Sequence, residues 1–258
     1  MGNKTCNMKR KNGLLIAMCA IACVTTSGVH RPVENYPATV LDLTNWKLNT
    51  PLDEDKNGTS DEIKQPKLAT YAIDPWFHNN ENNTGVVFRA NCGGVTTSGS
   101  GFPRSELREM INNGKSGASW SSDAGTHTME IEQAITHLPV VKPHIVAGQI
   151  HDANDDVIAF RLEGKKLFID HNGADGAVLT RDYELGTRFR VKFEVSKGEV
   201  KSYYNDALVE TYPVHFAGAY FKAGAYVQSN CQGRKKVAGE SCDAYGEVVI
   251  YKVTVTHQ

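Results

Sequence analysis

Residues 220–228 read Tyr220-Phe221-Lys222-Ala223-Gly224-Ala225-Tyr226-Val227-Gln228. Taken two apart, Phe221, Ala223, Ala225 and Val227 are all apolar, while Tyr220, Lys222, Gly224, Tyr226 and Gln228 form the other set. A strand sends alternate side chains to opposite faces. The pattern therefore predicts a strand with one face on a core and the other presenting two phenols, an ammonium and an amide in a row. Gly224, inside the polar row, leaves room for a close approach to the backbone. Alone, this is equally the pattern of an ordinary half-solvated strand, so its meaning depends on the rest of the chain.

The same period recurs on both sides. Thr126 to Ile135 sets Met129, Ile131 and Ile135 against Thr128, Glu130 and Glu132. Arg188 to Val195 sets Phe189, Val191, Phe193 and Val195 against Arg188, Arg190, Lys192 and Glu194. Glu163-Gly164-Lys165 joins Val157–Leu162 to Lys166–Ile169 as a hairpin, and Lys197-Gly198 and Asn205-Asp206 mark two further turns. Val86–Ala90 is a short strand, Trp46–Pro51 reads as a short strand ending in a turn, and Glu247–Val255, apolar on both faces, reads as a buried central strand. Helical periodicity is nearly absent, with one short turn expected over Asp61–Leu68. The expectation is one all-β domain, an antiparallel β-sandwich of the jelly-roll kind, whose concave sheet suits a linear polymer.

The first residues stand apart. Lys4, Lys9, Arg10 and Lys11 precede an apolar run of 11 residues, Leu14–Val24, which is too short to span a bilayer and has the form of an export signal. Ala20-Ile21-Ala22 suits cleavage before Cys23, giving a signal over 1–22 and a single domain over 23–258. A cysteine at that point also permits a lipid anchor. The expected location is thus secreted or periplasmic, either free or tethered to a membrane at Cys23. Losing residues 1–22 changes the formal net charge of −1 to −5, because four cations and no acids leave with them. That balance argues against a general nucleic-acid partner. The expected domain is a monomer.

Among the remaining cysteines, Cys231 and Cys242 flank a short loop, and in an oxidising compartment a disulfide between them is the economical reading. Cys92 is left as a free, packed thiol. No cysteine has zinc-site spacing. Asp53, Asp55, Asn57 and Asp61 resemble a calcium loop superficially, but the closing Glu is missing at its spacing, so the segment reads as a solvated loop with no metal.

Three segments carry unusual polar faces. Arg104, Glu106 and Arg108 share one face of a strand, either as surface ion pairs or as a guanidinium track for carboxylates. Gln149 and His151 share a face around inward-pointing Ile150. Tyr220, Lys222 and Gln228 belong to the third, the opening strand. Arg, Gln, His and Tyr are a poor set for hydrolysing a glycosidic bond, which needs two flanking carboxyl groups. They do suit β-elimination on a uronic acid. There an Arg and an amide neutralise the carboxylate as the enolate forms, a neutral His takes the C5 proton and a Tyr protonates the leaving oxygen. The chemistry asks for no cofactor and no metal.

Arg104-Ser105-Glu106-Leu107-Arg108-Glu109, Gln149-Ile150-His151 and the stretch 220–228 together resemble the three signature blocks of alginate lyases of polysaccharide lyase family 7, in the family's order. The resemblance runs from about residue 40 to the last residue. It implies a concanavalin-like jelly roll and endolytic cleavage of alginate that leaves a 4,5-unsaturated uronate. By position it implies Arg104 and Gln149 as carboxylate neutralisers, His151 as base and Tyr220 as acid, with Arg108, Lys222, Tyr226 and Gln228 lining the cleft. Ile150, rather than valine, implies activity on guluronate-containing blocks. A lyase acting on another polyuronate such as glucuronan and a non-catalytic carbohydrate-binding module are the competing readings. The basic loop Arg234-Lys235-Lys236 is open to two readings, a lid over the cleft or solubilising charge.

Overall fold

Runs in which β-branched and aromatic residues alternate with polar ones form strands in a computed structural model, which describes residues 1–3 and 35–258. The expected export signal and Cys23 otherwise lie outside the described residues. In chain order the first strands are β1 (Trp46–Asn49), β2 (Glu62–Ile63), β3 (Phe77–Asn79), β4 (Val86–Asn91), β5 (Arg104–Ile111) and β6 (Ser116–Gly117). Next come β7 (Thr126–His137), β8 (His144–His151), β9 (Asp156–Glu163), β10 (Lys166–His171) and β11 (Ala174–Thr180). The last are β12 (Phe189–Ser196), β13 (Glu199–Tyr204), β14 (Ala207–Pro213), β15 (Tyr220–Val227) and β16 (Tyr245–His257).

The strands make two antiparallel sheets, the layered jelly roll that the alternation predicts. One runs β11-β10-β9-β8-β15-β5-β1-β2, with β6 attached to β5; the other runs β14-β13-β12-β7-β16-β4-β3. β16 is central, between β7 and β4, as its apolar faces require. The short turn expected over Asp61–Leu68 is instead β2 followed by a single 3-10 turn at Lys67–Thr70.

The core lies between the sheets. Phe160 of β9 stacks on Phe193 of β12 at 4.0 Å, and Phe77 meets Phe88 edge-on at 5.1 Å. All four rings are fully buried, each contributing about 1.5–3 kcal/mol relative to exposure. Phe221, Ala223, Ala225 and Val227 are also fully buried, so the apolar set of the opening stretch faces this core.

One irregularity matters for the site. Between β8 and β15, Lys222 pairs with Gln149 and Tyr226 with Val146, so β15 has three intervening residues against two on β8. This leaves an interruption in the β8–β15 ladder, although β15 keeps unbroken register with β5 from Lys222 to Tyr226. Gly224 sits in this interruption at φ +142°, and a Cβ there would lie 2.5 Å from the Ser105 carbonyl oxygen and 2.8 Å from Glu106 Cα. The close approach inferred at Gly224 is therefore real, but what approaches is the neighbouring strand β5.

Cys231 and Cys242 are bridged, and Cys92 is a buried free thiol. Burial, with the Glu240 carboxylate adding to it, pushes that thiol up to about 12, so it is inert as a nucleophile.

Candidate active site

Three adjacent strands bring the polar segments together. Antiparallel register sets Tyr220 opposite His151, Lys222 between Gln149 and Arg108, and Tyr226 opposite Arg104. These side chains line a cleft of about 340 Å³, closed by Asn49 and Glu62 of β1 and β2, by the 97–100 loop and by Asn154, Asp155 and Asp156.

Glu106 organises the floor. It is wholly buried, and its carboxylate accepts from Lys222 Nζ at 2.7 Å, Arg104 Nη1 at 2.9 Å and Gln149 Nε2 at 2.6 Å. Burial raises the Glu106 carboxyl, but Lys222 and Arg104 outweigh it, so the group is held below its ordinary value and stays ionised. For Lys222, burial and the adjacent Arg104 dominate and lower the ammonium to about 8. With Arg104, Arg108 and Lys222 against the single charge of Glu106, the floor keeps a positive excess for a carboxylate ligand. Arg104 Nε and Arg108 Nε are buried with no hydrogen-bond partner.

His151 presents a neutral imidazole to the cleft. Its Nδ1 lies 2.7 Å from the Asp152 carbonyl oxygen, which only accepts, so the neutral ring carries its proton there and leaves Nε2 as the acceptor. Burial lowers the imidazole below its ordinary value, and Lys222 and Arg104 act in the same direction. Both effects favour the neutral ring.

The two tyrosines sit differently. The Tyr220 ring is stacked on His151 at 5.1 Å and 11°, with the Arg108 guanidinium 3.8 Å over it, and burial raises its phenol. Tyr226 is half-buried, with Arg104 3.8 Å over its ring, Lys222 Nζ 5.8 Å from its centroid and its hydroxyl 2.9 Å from Ser100 Oγ.

Of the residues singled out in the sequence, Arg104, Arg108, Gln149, His151, Tyr220, Lys222 and Tyr226 all line the cleft. Gln228 does not. β15 ends at Val227, and Gln228 is buried beyond it, its backbone N–H bonded to the His144 carbonyl. Ile150 is fully buried against the core face, so any influence on substrate passes through its neighbours Gln149 and His151. Glu106 is the important residue that the sequence reading left as a surface ion pair. Its position between two arginines on one face was the available signal. Lys47, bonded to Glu62, and the Asn154–Asp156 wall carried no comparable signal.

The basic loop packs beside one cleft wall. Asn230 donates to the Gly101 carbonyl at 2.9 Å, and the Lys235 stem lies against Gly101. In the 53–61 loop, Asp53, Asp55 and Asp61 bring carboxylate oxygens within 4.8 Å of one another. Those acids accept backbone N–H groups of Asn57, Gly58 and Glu54 within the loop itself.

Comparison with known proteins agrees with this geometry. A family model described as alginate lyase matches residues 41–257. The curated alginate lyase of Klebsiella pneumoniae is 24% identical over 316 residues, covering 96% of this chain and 98% of that protein. The solved alginate lyase AlgAT5, from polysaccharide lyase family 7, is 54% identical with a TM-score of 0.81, covering 86% of this chain and 99% of that one. The alginate lyase from Corynebacterium sp. is 51% identical with a TM-score of 0.82, covering 87% and 99%. By the match over nearly all of the folded unit, and by the two solved relatives above half identity, this chain belongs to the alginate lyase family.

Proposed function

We propose that this alginate lyase acts endolytically, with preference for guluronate-containing blocks, and that His151 is the base. The observation that carries the reading is the Asp152 carbonyl on His151 Nδ1, which leaves the Nε2 lone pair beside the cationic floor. In the step, Nε2 takes the C5 proton and the electron pair forms the C4=C5 double bond. The C4–O4 bond breaks, and the leaving oxygen takes a proton from a tyrosine. Arg104 and Lys222 neutralise the carboxylate while the enolate develops, and the free amide hydrogen of Gln149 adds to this. A cleft crossing from β2 to β8 supports binding within a chain rather than at its end. Export, free or anchored at Cys23, and a monomeric state remain part of this proposal, since the polymer is too large to be taken up whole.

The proton donor follows from position. Tyr220 stands opposite His151 on the neighbouring strand, their rings stacked at 5.1 Å. Tyr226 lies six residues along the same face of β15, beyond Lys222. Tyr220 is therefore the acid in this proposal, as the resemblance implies, and Tyr226 lines the cleft. Ultraviolet absorbance of the unsaturated product tests both points on polyguluronate, polymannuronate and glucuronan. Tyr220→Phe is expected to lose on the order of 10²-fold or more on polyguluronate, and Tyr226→Phe much less. The reverse order would move the acid to Tyr226. Equal turnover of glucuronan would point to a broader polyuronate lyase, and binding without absorbance to a module.

A further inference from the structure

Glu109 follows Arg108 on β5 but points away from the cleft, into the end of the sandwich, where it is 2% exposed. Its Oε2 accepts the Phe221 backbone N–H at 2.9 Å and the Trp120 indole N–H at 3.1 Å. The β5–β15 ladder stops at Lys222 and Arg108, so this carboxylate holds β15 where backbone pairing has ended, between Tyr220 and Lys222. Its Oε1 lies 2.6 Å from His257 Nε2. His257 Nδ1 is 2.7 Å from His127 Nδ1, and His127 Nε2 faces the Ala124 and Ser121 carbonyl oxygens at 2.7 and 3.1 Å. Trp120 stacks over His127 at 4.4 Å. The chain of contacts thus leaves the catalytic sheet through β5 and ends on β16 and β7 of the opposite sheet.

The partners dictate the protons. Carbonyl oxygens only accept, so His127 Nε2 carries a hydrogen; an ionised carboxylate only accepts, so His257 Nε2 carries one too. Two Nδ1 atoms at 2.7 Å need a third hydrogen between them. Two neutral imidazoles hold only two. The geometry points to a proton-held latch: Glu109, His257 and His127 share one extra proton, which ties the two sheets together and positions the β15 segment bearing Tyr220 and Lys222. Glu109 and His257 are then positioning residues for the elimination.

The surrounding charges are few. Asp42 lines the small cavity beside Glu109 and His257. Asp123, in the Trp120 loop, is paired with His215 at 2.6 Å. From β15 the latch meets Phe221, through its N–H and its ring near His257.

Glu109→Gln provides the test. A glutamine donates its amide hydrogen to His257 Nε2 and accepts from Phe221 and Trp120, so every bond persists with two neutral histidines. The His127–His257 pair should therefore hold two nitrogen-bound protons in Glu109→Gln and three in the wild type. Equal counts in the two proteins would overturn the latch. Imidazole ¹⁵N shifts at pH 6 should show three protonated nitrogens on the His127–His257 pair; two would overturn it. This readout does not depend on the lyase mechanism. The positioning role does rest on it: folded His257→Phe should lose at least about tenfold in kcat on polyguluronate, as small displacements of reacting groups do. Wild-type kcat in that variant would reduce the latch to a structural bridge and refute the positioning role.

Discussion

Replacing Glu106 by Gln keeps the shape of the cleft floor and removes its only buried negative charge. Three donors converge on that carboxylate, from Arg104, Lys222 and Gln149, and the two cations are only 6% and 5% exposed. Removing one partner from a buried ion pair costs about 3–5 kcal/mol, because the other charge stays desolvated and unpaired. For a domain of this size that is a fall of roughly 6–20 °C in Tm. The penalty should depend on pH. Lys222 already titrates near 8, and without Glu106 it loses its largest counter-charge, so its folded value falls further. Below the variant's lower value the full penalty applies. As pH rises past about 8, Lys222 is neutral in both proteins and its share vanishes, leaving the share of Arg104, which stays charged. Urea unfolding followed by tryptophan fluorescence at pH 6 and pH 9 measures both numbers. A loss below about 1 kcal/mol at pH 6, outside the range for broken buried pairs, or an equal loss at both pH values, would refute the account.

Two further outcomes follow from the same geometry. The pH profile of kcat/KM should be bell-shaped. Its acid limb should fall below the ordinary histidine value, because burial holds His151 neutral to lower pH, and its alkaline limb should fall near 8, where Lys222 loses the charge that meets the substrate carboxylate. In Lys222→Arg the alkaline limb should move up by more than a unit; an unmoved limb would assign it elsewhere. Gly224→Ala should destabilise by about 2 kcal/mol or more, since φ +142° is strained for alanine and its Cβ would meet the Ser105 carbonyl at 2.5 Å. Chemical denaturation within 0.5 kcal/mol of wild type would show that β5 and β15 move apart there without cost.

Much of the site was legible as alternation. Arg104 with Arg108, Gln149 with His151, and Tyr220 with Lys222 and Tyr226 each lie an even number of residues apart, so the strand period alone set them on shared faces, and all line the cleft. Gln228 obeyed the same count and failed, because the strand ends one residue earlier. Glu106 obeyed it too, but its burial was not legible, since the Gln149 and Lys222 donors come from β8 and β15.

By itself the sequence determined that this protein is a jelly-roll sandwich, because the period-two separation of apolar from polar residues is a local property of each strand. It also identified the elimination chemistry, because the side chains suited to a uronate lie in three short blocks. Tertiary structure alone decided three things. What comes close to Gly224 is the neighbouring strand β5, whose Ser105 carbonyl would meet a Cβ there. Burial and three donors turn Glu106 from a surface charge into the anion beneath the floor. The hydrogen bond between Glu109 and His257 joins residues 148 positions apart. Register, burial and proton sharing belong to pairs of strands, and a single strand's pattern holds no information about its partner.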